Sequence, residues 1–164
     1  MMSRYGARIG KDTSNRVFVE YNTSLKHTLG LSMSTSSTRF VLLSSVFGLL
    51  GVASGAFGAH ALKTMLPVDL LAIFETGSRY CLHHSMALLA TSLYNHHKPT
   101  PSLWLTRACW CFTIGISIFS GTLWILALSG VRWLGAITPI GGLSLMAGWG
   151  CILLFSIKTS RENQ

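Results

Sequence analysis

Long runs of apolar residues, separated by short polar segments, divide most of the chain into four predicted helices. Three of these runs carry almost no charge: helix 1 from about Phe40 to Leu62, helix 3 from about Leu103 to Ser129, and helix 4 from about Leu134 to Ile157. About 20 residues of helix cross the hydrocarbon core of a bilayer, and each run is longer than that. The pattern therefore predicts three membrane spans.

The remaining run, from Phe74 to Tyr94, is long enough to span the membrane but is polar over half of its surface. With successive residues about 100° apart, the side chains on that half are Glu75, Thr76, Arg79, Tyr80, His83 and His84. A Glu or Arg at the centre of a span costs about 2.5–3.5 kcal/mol on insertion scales. We therefore expect the three apolar helices to pack around helix 2. Its polar half, including a Glu75–Arg79 ion pair, is expected to face inward.

The four runs together predict an all-α fold, an integral membrane four-helix bundle that covers residues 33–157 and is followed by a polar tail at 158–164. Residues 1–32 form a polar extension without helical periodicity. This extension is either untranslated, with Met33 as the working start, or a disordered tail with some features of an organellar transit peptide. We favour the internal start.

The composition agrees with a membrane protein. Of all residues, 49% are hydrophobic and 11% are charged, whereas soluble domains carry about 25% charged residues. The net charge is +8, but half of it lies in residues 1–39, and no helix combines a basic face with interleaved aromatic residues. We therefore exclude nucleic-acid binding. The expected partners are the lipid bilayer and, within it, a second copy of the chain or another membrane protein.

The four cysteines, Cys81, Cys109, Cys111 and Cys151, all lie within apolar runs. Their spacing matches neither a disulfide framework nor a zinc site. We therefore expect them to fill space between helices, and we assign no metal site and no cofactor.

Small residues recur on two of the predicted spans. Gly51, Gly55 and Ala59 stand four apart on helix 1, and a second small-residue surface on helix 3 includes Gly115 and Gly121. Such patterns let helices approach closely in a membrane, where burial from water no longer drives association. Both surfaces are therefore predicted to be packing faces.

Helix 4 is expected to kink or break within the segment TPIGG, and the residues concerned are Thr138, Pro139, Gly141 and Gly142. Proline removes an amide donor from the helix, and the paired glycines loosen the turn that follows. Broken helices at membrane depth often bind ions or substrates, but they also arise simply from packing.

Lysine and arginine residues near the ends of the runs predict the orientation of the chain. Those on the side that holds both termini are Arg39, Lys98, Lys158 and Arg161, and those on the other side are Lys63 and Arg132. Basic residues favour the cytoplasmic side. Both termini are therefore expected in the cytoplasm, or in the matrix if the membrane is that of an organelle.

Several short motifs resemble those of one known family. They are GAFGAH at Gly55 to His60, TG-x-x-Y-x-x-x-H at Thr76 to His84, FSG at Phe119 to Gly121, TPIGG at Thr138 to Gly142, and GW at Gly148 and Trp149. In this order they resemble the YgdD/YwdK-like family of small four-span inner-membrane proteins of unknown function.

The resemblance implies a four-span bundle in a bacterial inner membrane, with the mitochondrial inner membrane as the alternative, and the family's short N-terminus favours Met33 as the start. It brings no known chemistry. The residues that it singles out are His60, Thr76, Gly77, Tyr80 and His84. Glu75, Arg79 and His83 lie outside the family pattern.

From the residues we expect a non-enzymatic accessory or structural protein that docks partners through its small-residue helix faces. No Ser/His/Asp set, acidic metal cluster or phosphate loop is evident in the sequence. One alternative is a small-solute or proton-coupled transporter, in which a relay of His60, Glu75, Arg79 and His84 lies beside the broken TPIGG helix. Another is a haem-binding or redox protein with His60 and His84 as axial ligands.

Overall fold

A computed structural model describes residues 16–22 and 35–162, and over these ranges the chain contains helices and no β-strand. Residues 16–22 form a short helix in a segment for which no element was predicted. They belong to a unit separate from the one that begins at Thr35. Met33, the expected start, lies outside the described residues.

Four long helices make up the second unit: α1 (Thr35–His60), α2 (Val68–His97), α3 (Leu103–Ser129) and α4 (Thr138–Glu162). Short 3-10 helices at Leu62–Thr64 and Arg132–Ala136 lie in two of the three connections. Three segments are long and apolar enough to cross a membrane, namely Ser37–Thr64, Leu103–Ser129 and Arg132–Glu162. The predicted all-α membrane fold, with three apolar helices and one more polar helix, is therefore confirmed.

Local sequence signals set the ends of the helices. Pro67, with φ −55° and ψ 150°, precedes α2, and Asp69 places a negative charge in its first turn, where the helix dipole favours it. Gly130 ends α3 in a left-handed conformation, φ 71°, and its amide donates to the Leu126 carbonyl at 2.8 Å. The predicted end of helix 3 at Ser129 is confirmed.

The helices pack in chain order, α1 on α2, α2 on α3 and α3 on α4. Two of these contacts depend on glycine. A Cβ atom at Gly51 would lie 2.9 Å from the amide nitrogen of Leu82, and one at Gly141 would lie 2.5 Å from that of Phe119. Such approaches let backbone meet backbone. On each of the two predicted small-residue surfaces one glycine, Gly51 or Gly115, is thus used between helices of the same chain, whereas Gly55 and Gly121 are open.

The apolar core contains fully buried side chains from α2 and α3, among them Cys81, Leu88, Cys109 and Phe112. The Sγ atom of Cys81 also donates to the Phe47 carbonyl at 3.2 Å. The space-filling role predicted for the cysteines is therefore confirmed for Cys81 and Cys109.

Two expectations about packing are corrected. Helix α4 begins at Thr138, so Pro139 lies in its first turn rather than in mid-span, and the chain continues as one helix through Gly141 and Gly142. A first-turn amide has no partner within the helix, so proline is tolerated there. Helix α4 also packs chiefly on α3 and is not a full neighbour of α2. It reaches α2 through side chains such as Trp149.

Candidate functional site

The polar half of α2 divides between two regions of the molecule. One is the charged groove, a cleft of about 220 Å³ between α1 and α2 that is lined by Gly51, Gly55, Glu75, Ser78, Arg79 and Leu82. The other is the His84 aromatic cluster, formed by Tyr80, His84, Phe112, Phe119 and Trp149. The two regions lie on different faces of α2, so the predicted polar cluster is not a single site.

In the charged groove, Arg79 and Glu75 are not paired. The Arg79 side chain is exposed, and its guanidinium donates to the Thr76 hydroxyl oxygen at 3.3 Å. That hydroxyl in turn donates to the Ala72 carbonyl at 2.8 Å. Within residues 35–162, the half-buried Glu75 carboxylate accepts no hydrogen bond and forms no ion pair. The prediction of an inward-facing Glu75–Arg79 ion pair is therefore wrong.

The reason is that small residues occupy the inner face of α2. Gly77 and Ser78 are buried there against Trp124 of α3, whose indole Nε1 donates to the Ser78 hydroxyl at 3.1 Å. A small inner face lets α3 approach closely, whereas Glu or Arg at the same positions would hold the helices apart. The charged side chains of α2 therefore point away from the core.

In a membrane-embedded bundle both charged groups lie at membrane depth, because α2 packs between the apolar helices α1 and α3. Helix α2 has 30 residues and is therefore about 45 Å long, whereas the hydrocarbon core is about 30 Å thick. With α2 centred on that core, the Cα atom of Arg79 lies about 5 Å from the middle of the membrane and that of Glu75 about 11 Å. A Cβ atom added at Gly55, beside them, would meet nothing within 4 Å, so the groove is open at this point.

The His84 aromatic cluster is held together by ring contacts. His84 Nδ1 donates to the Tyr80 carbonyl at 2.9 Å. The imidazole stacks on the Tyr80 ring at 5.5 Å and lies 6.0 Å from the ring of Phe112 and 6.4 Å from that of Trp149. Tyr80 is 41% exposed and contacts Phe119. The cluster joins α2 to α3 and α4 by ring packing.

His60, the remaining predicted site residue, is exposed at the end of α1. Gly58 lies against Phe74 and Glu75, so His60 is level with the first turns of α2. His84 lies nine residues beyond Glu75 on α2, about 13.5 Å, and His60 lies two residues beyond Gly58 in the opposite direction, about 3 Å more. The two histidines are therefore about 16 Å apart along the bundle. They are therefore too far apart to bind one iron atom, and the haem prediction fails on this geometry.

The TPIGG segment also lies apart from the charged groove. Thr138 is buried, with its hydroxyl 3.0 Å from that of Thr122 on α3, and Gly141 packs on Phe119. These residues join α4 to α3, and the charged groove lies between α1 and α2. The proposed relay from His60 through Glu75 and Arg79 to His84, beside a broken helix, is not assembled.

Comparison with known proteins identifies relatives. Residues 54–142 match the family model described as protein of unknown function (DUF423). The chain is 36% identical over 119 residues to a UPF0382 membrane protein of Staphylococcus saprophyticus, which covers 73% of this chain and 97% of the relative.

Two further relatives are similar in extent. The UPF0382 membrane protein YwdK of Bacillus subtilis is 35% identical over 119 residues, covering 73% of this chain and 96% of YwdK. The UPF0382 inner membrane protein YgdD of Escherichia coli K12 is 37% identical over 128 residues, covering 77% of this chain and 95% of YgdD. The resemblance inferred from the motifs and the expected membrane location are therefore confirmed. No solved structure matches the chain.

Proposed function

We propose, since the chain belongs to the DUF423 family of membrane proteins of unknown function, that it is a non-enzymatic accessory protein that assembles in the plane of the membrane. The observation that carries the proposal is the charged groove. Two ionisable side chains of opposite charge, Glu75 and Arg79, have no ion-pair partner in residues 35–162, and an α2 that spans the membrane holds both of them at membrane depth.

Leaving these side chains against lipid is unfavourable. A charged side chain near the bilayer centre costs about 2.5–3.5 kcal/mol on insertion scales, and such residues almost always pair or face the interior of a bundle. The core of this chain offers no room for them, because Phe74, Ser78 and Trp124 fill it at this depth. A partner helix that supplies opposite charges is therefore the most favourable cover for the groove.

A second copy of the chain meets this requirement. In a two-fold symmetric dimer, a contact from residue i to residue j occurs twice, so Glu75 of each copy meets Arg79 of the other. Their Cα atoms are about 6 Å apart along the helix axis, a distance that these two long side chains can span. Gly55 offers no side chain to obstruct the approach.

Only part of the small-residue face on α1 is open to a docking partner. On α1, Gly51 packs against Leu82 of the same chain, whereas Gly55 is open. We therefore assign docking to the Gly55 end of the helix 1 face. The transporter alternative has less support, because the ionisable residues it needs are divided between two faces of α2.

Disulfide cross-linking tests the proposal. A cysteine at Gly55, in a variant whose four native cysteines are replaced by alanine, is expected to form a disulfide-linked dimer in native membranes. The matched control is Gly121→Cys on α3, because Gly121 is also open. It lies at a similar depth, since Trp124 and Leu123 pack level with Gly77.

Strong cross-linking of Gly55→Cys and weak cross-linking of Gly121→Cys would support the proposed face. Equal cross-linking of both variants would indicate random collision, and cross-linking of Gly121→Cys alone would place the interface elsewhere. Either of these results contradicts the proposal.

A further inference from the structure

A second cleft lies on the other side of α2, where it faces α4. This apolar groove of about 310 Å³ has α2 and α4 as its walls and α3 as its floor. The residues that define it are Ala87, Ala90, Tyr94, Leu105, Trp149 and Phe155. From Ala87 to Tyr94 it runs for about 10 Å along the helix, so it lies within one leaflet of the bilayer.

At its outer end the apolar groove meets another cleft, the basic pocket, of about 330 Å³. The residues that define this pocket are Lys98, Thr100, Trp104, Phe155, Lys158 and Thr159. Phe155 lines both clefts. The Lys98 ammonium lies 5.0 Å from the centre of the Phe155 ring, so positive charge begins where the apolar surface ends.

We propose that the apolar groove and the basic pocket together bind one anionic phospholipid, with an acyl chain in the groove and the phosphate group in the pocket. The apolar groove opens onto the two lysines of the basic pocket at the membrane surface. A phospholipid has the same arrangement, an apolar acyl chain followed by a charged headgroup. Basic pockets between helices at this level bind acidic headgroups. The amphipathic ring of Tyr94, at the outer end of the groove, suits the boundary between acyl chain and headgroup.

One acidic residue opposes this binding. The carboxylate of Glu162, which also lines the basic pocket, lies 3.8 Å from the Lys158 ammonium. Both side chains are more than half exposed, 66% for Lys158 and 63% for Glu162. Such exposed pairs are weak, so a phosphate group competes with the carboxylate for Lys158.

Native mass spectrometry of the full chain tests the site, after incubation with equal amounts of phosphatidylglycerol and phosphatidylcholine. We expect the wild type to retain phosphatidylglycerol preferentially. Each lysine near a membrane surface contributes about a fivefold preference for anionic lipid. Lys98→Gln with Lys158→Gln should therefore lower the preference by about thirtyfold. The arginine versions of both substitutions should restore it, and Glu162→Gln should increase it.

Two controls separate a lipid site from surface charge. Lys63→Gln removes a lysine at the opposite end of the molecule, outside both clefts, and should leave the preference unchanged. Ala90→Phe fills the groove without touching the lysines and should reduce retention of phosphatidylglycerol, whereas Ala147→Phe, at an exposed alanine of α4 outside the groove, should not.

The proposal is overturned if the lysine substitutions leave the preference intact, or if Ala90→Phe retains as much phosphatidylglycerol as wild type. The second result would mean that the lysines attract acidic headgroups without a bound acyl chain. Inorganic phosphate added in excess should not displace the lipid, and displacement would likewise identify a phosphate site with no lipid specificity. Size-exclusion profiles restrict the comparison to folded variants.

Discussion

If Glu75 of one copy pairs with Arg79 of the other, a Glu75→Leu chain should dimerise preferentially with an Arg79→Leu chain. In a dimer of Glu75→Leu chains, both Arg79 side chains lack a carboxylate. In a dimer of Arg79→Leu chains, both Glu75 side chains lack a cation. A mixed dimer of one chain of each kind keeps one Glu75–Arg79 pair and leaves no charge alone, because each remaining charge comes from a different chain.

The size of the preference for the mixed dimer over the two homodimers follows from the depth of the charged groove in the membrane. Each unpaired charge at this depth costs up to about 2.5–3.5 kcal/mol, and forming a mixed dimer removes two of them. If snorkelling and water defects reduce the cost to only about 0.7 kcal/mol per charge, the mixed dimer is still favoured about tenfold. A residual preference of this size is readily measured.

The assay uses two affinity tags. Tagged Glu75→Leu and Arg79→Leu chains are co-expressed, and the fraction carrying both tags is compared with the fraction from wild-type chains carrying the same tags, which mix at random. A second control gives both tagged chains the Glu75→Leu/Arg79→Leu double substitution, which should also mix at random. If the complementary chains mix no better than these controls, the charges do not pair between copies.

Three further predictions concern the fold. Gly141→Ala should destabilise the bundle by about 1–3 kcal/mol through overpacking against Phe119. The open Gly150→Ala should be neutral or stabilising by up to about 1 kcal/mol, and thermal unfolding in detergent would compare the two. Reporter fusions after Lys98 and at the C-terminus should behave as cytoplasmic and a fusion after Arg132 as exported, whereas an exported C-terminus would reverse the topology. Intact mass of the mature protein should correspond to a start at Met33, and a major species beginning at Met1 would refute the internal start.

The helices of the fold were largely predictable because their ends carry local signals. Pro101 and Ser102 before α3 and Gly130 after it define a helix from Leu103 to Ser129, as predicted. The start of α4 was placed too early because the residues before it form an apolar 3-10 helix, Arg132–Ala136. Hydropathy does not distinguish that turn from the α-helix that follows it.

Local sequence signals do not predict whether the polar half of α2 faces protein or lipid. A helical projection groups Glu75 and Arg79 on one side of α2, but it does not say whether that side faces protein or lipid. The outcome depends on the opposite side, where Gly77, Ser78 and Cys81 allow close packing. In a membrane, packing decides which face is buried, since lipid is as apolar as the core.

The most direct test of the central claim is the distance between two spin labels attached at position 55 in separate copies, measured by pulsed electron paramagnetic resonance in lipid bilayers. If the charged groove is the interface, the labels lie within about two helix diameters, roughly 20–24 Å, and labels at position 121 give a longer distance. The absence of dipolar coupling at position 55, or a shorter distance at position 121, would contradict the claim that the charged groove docks a second copy.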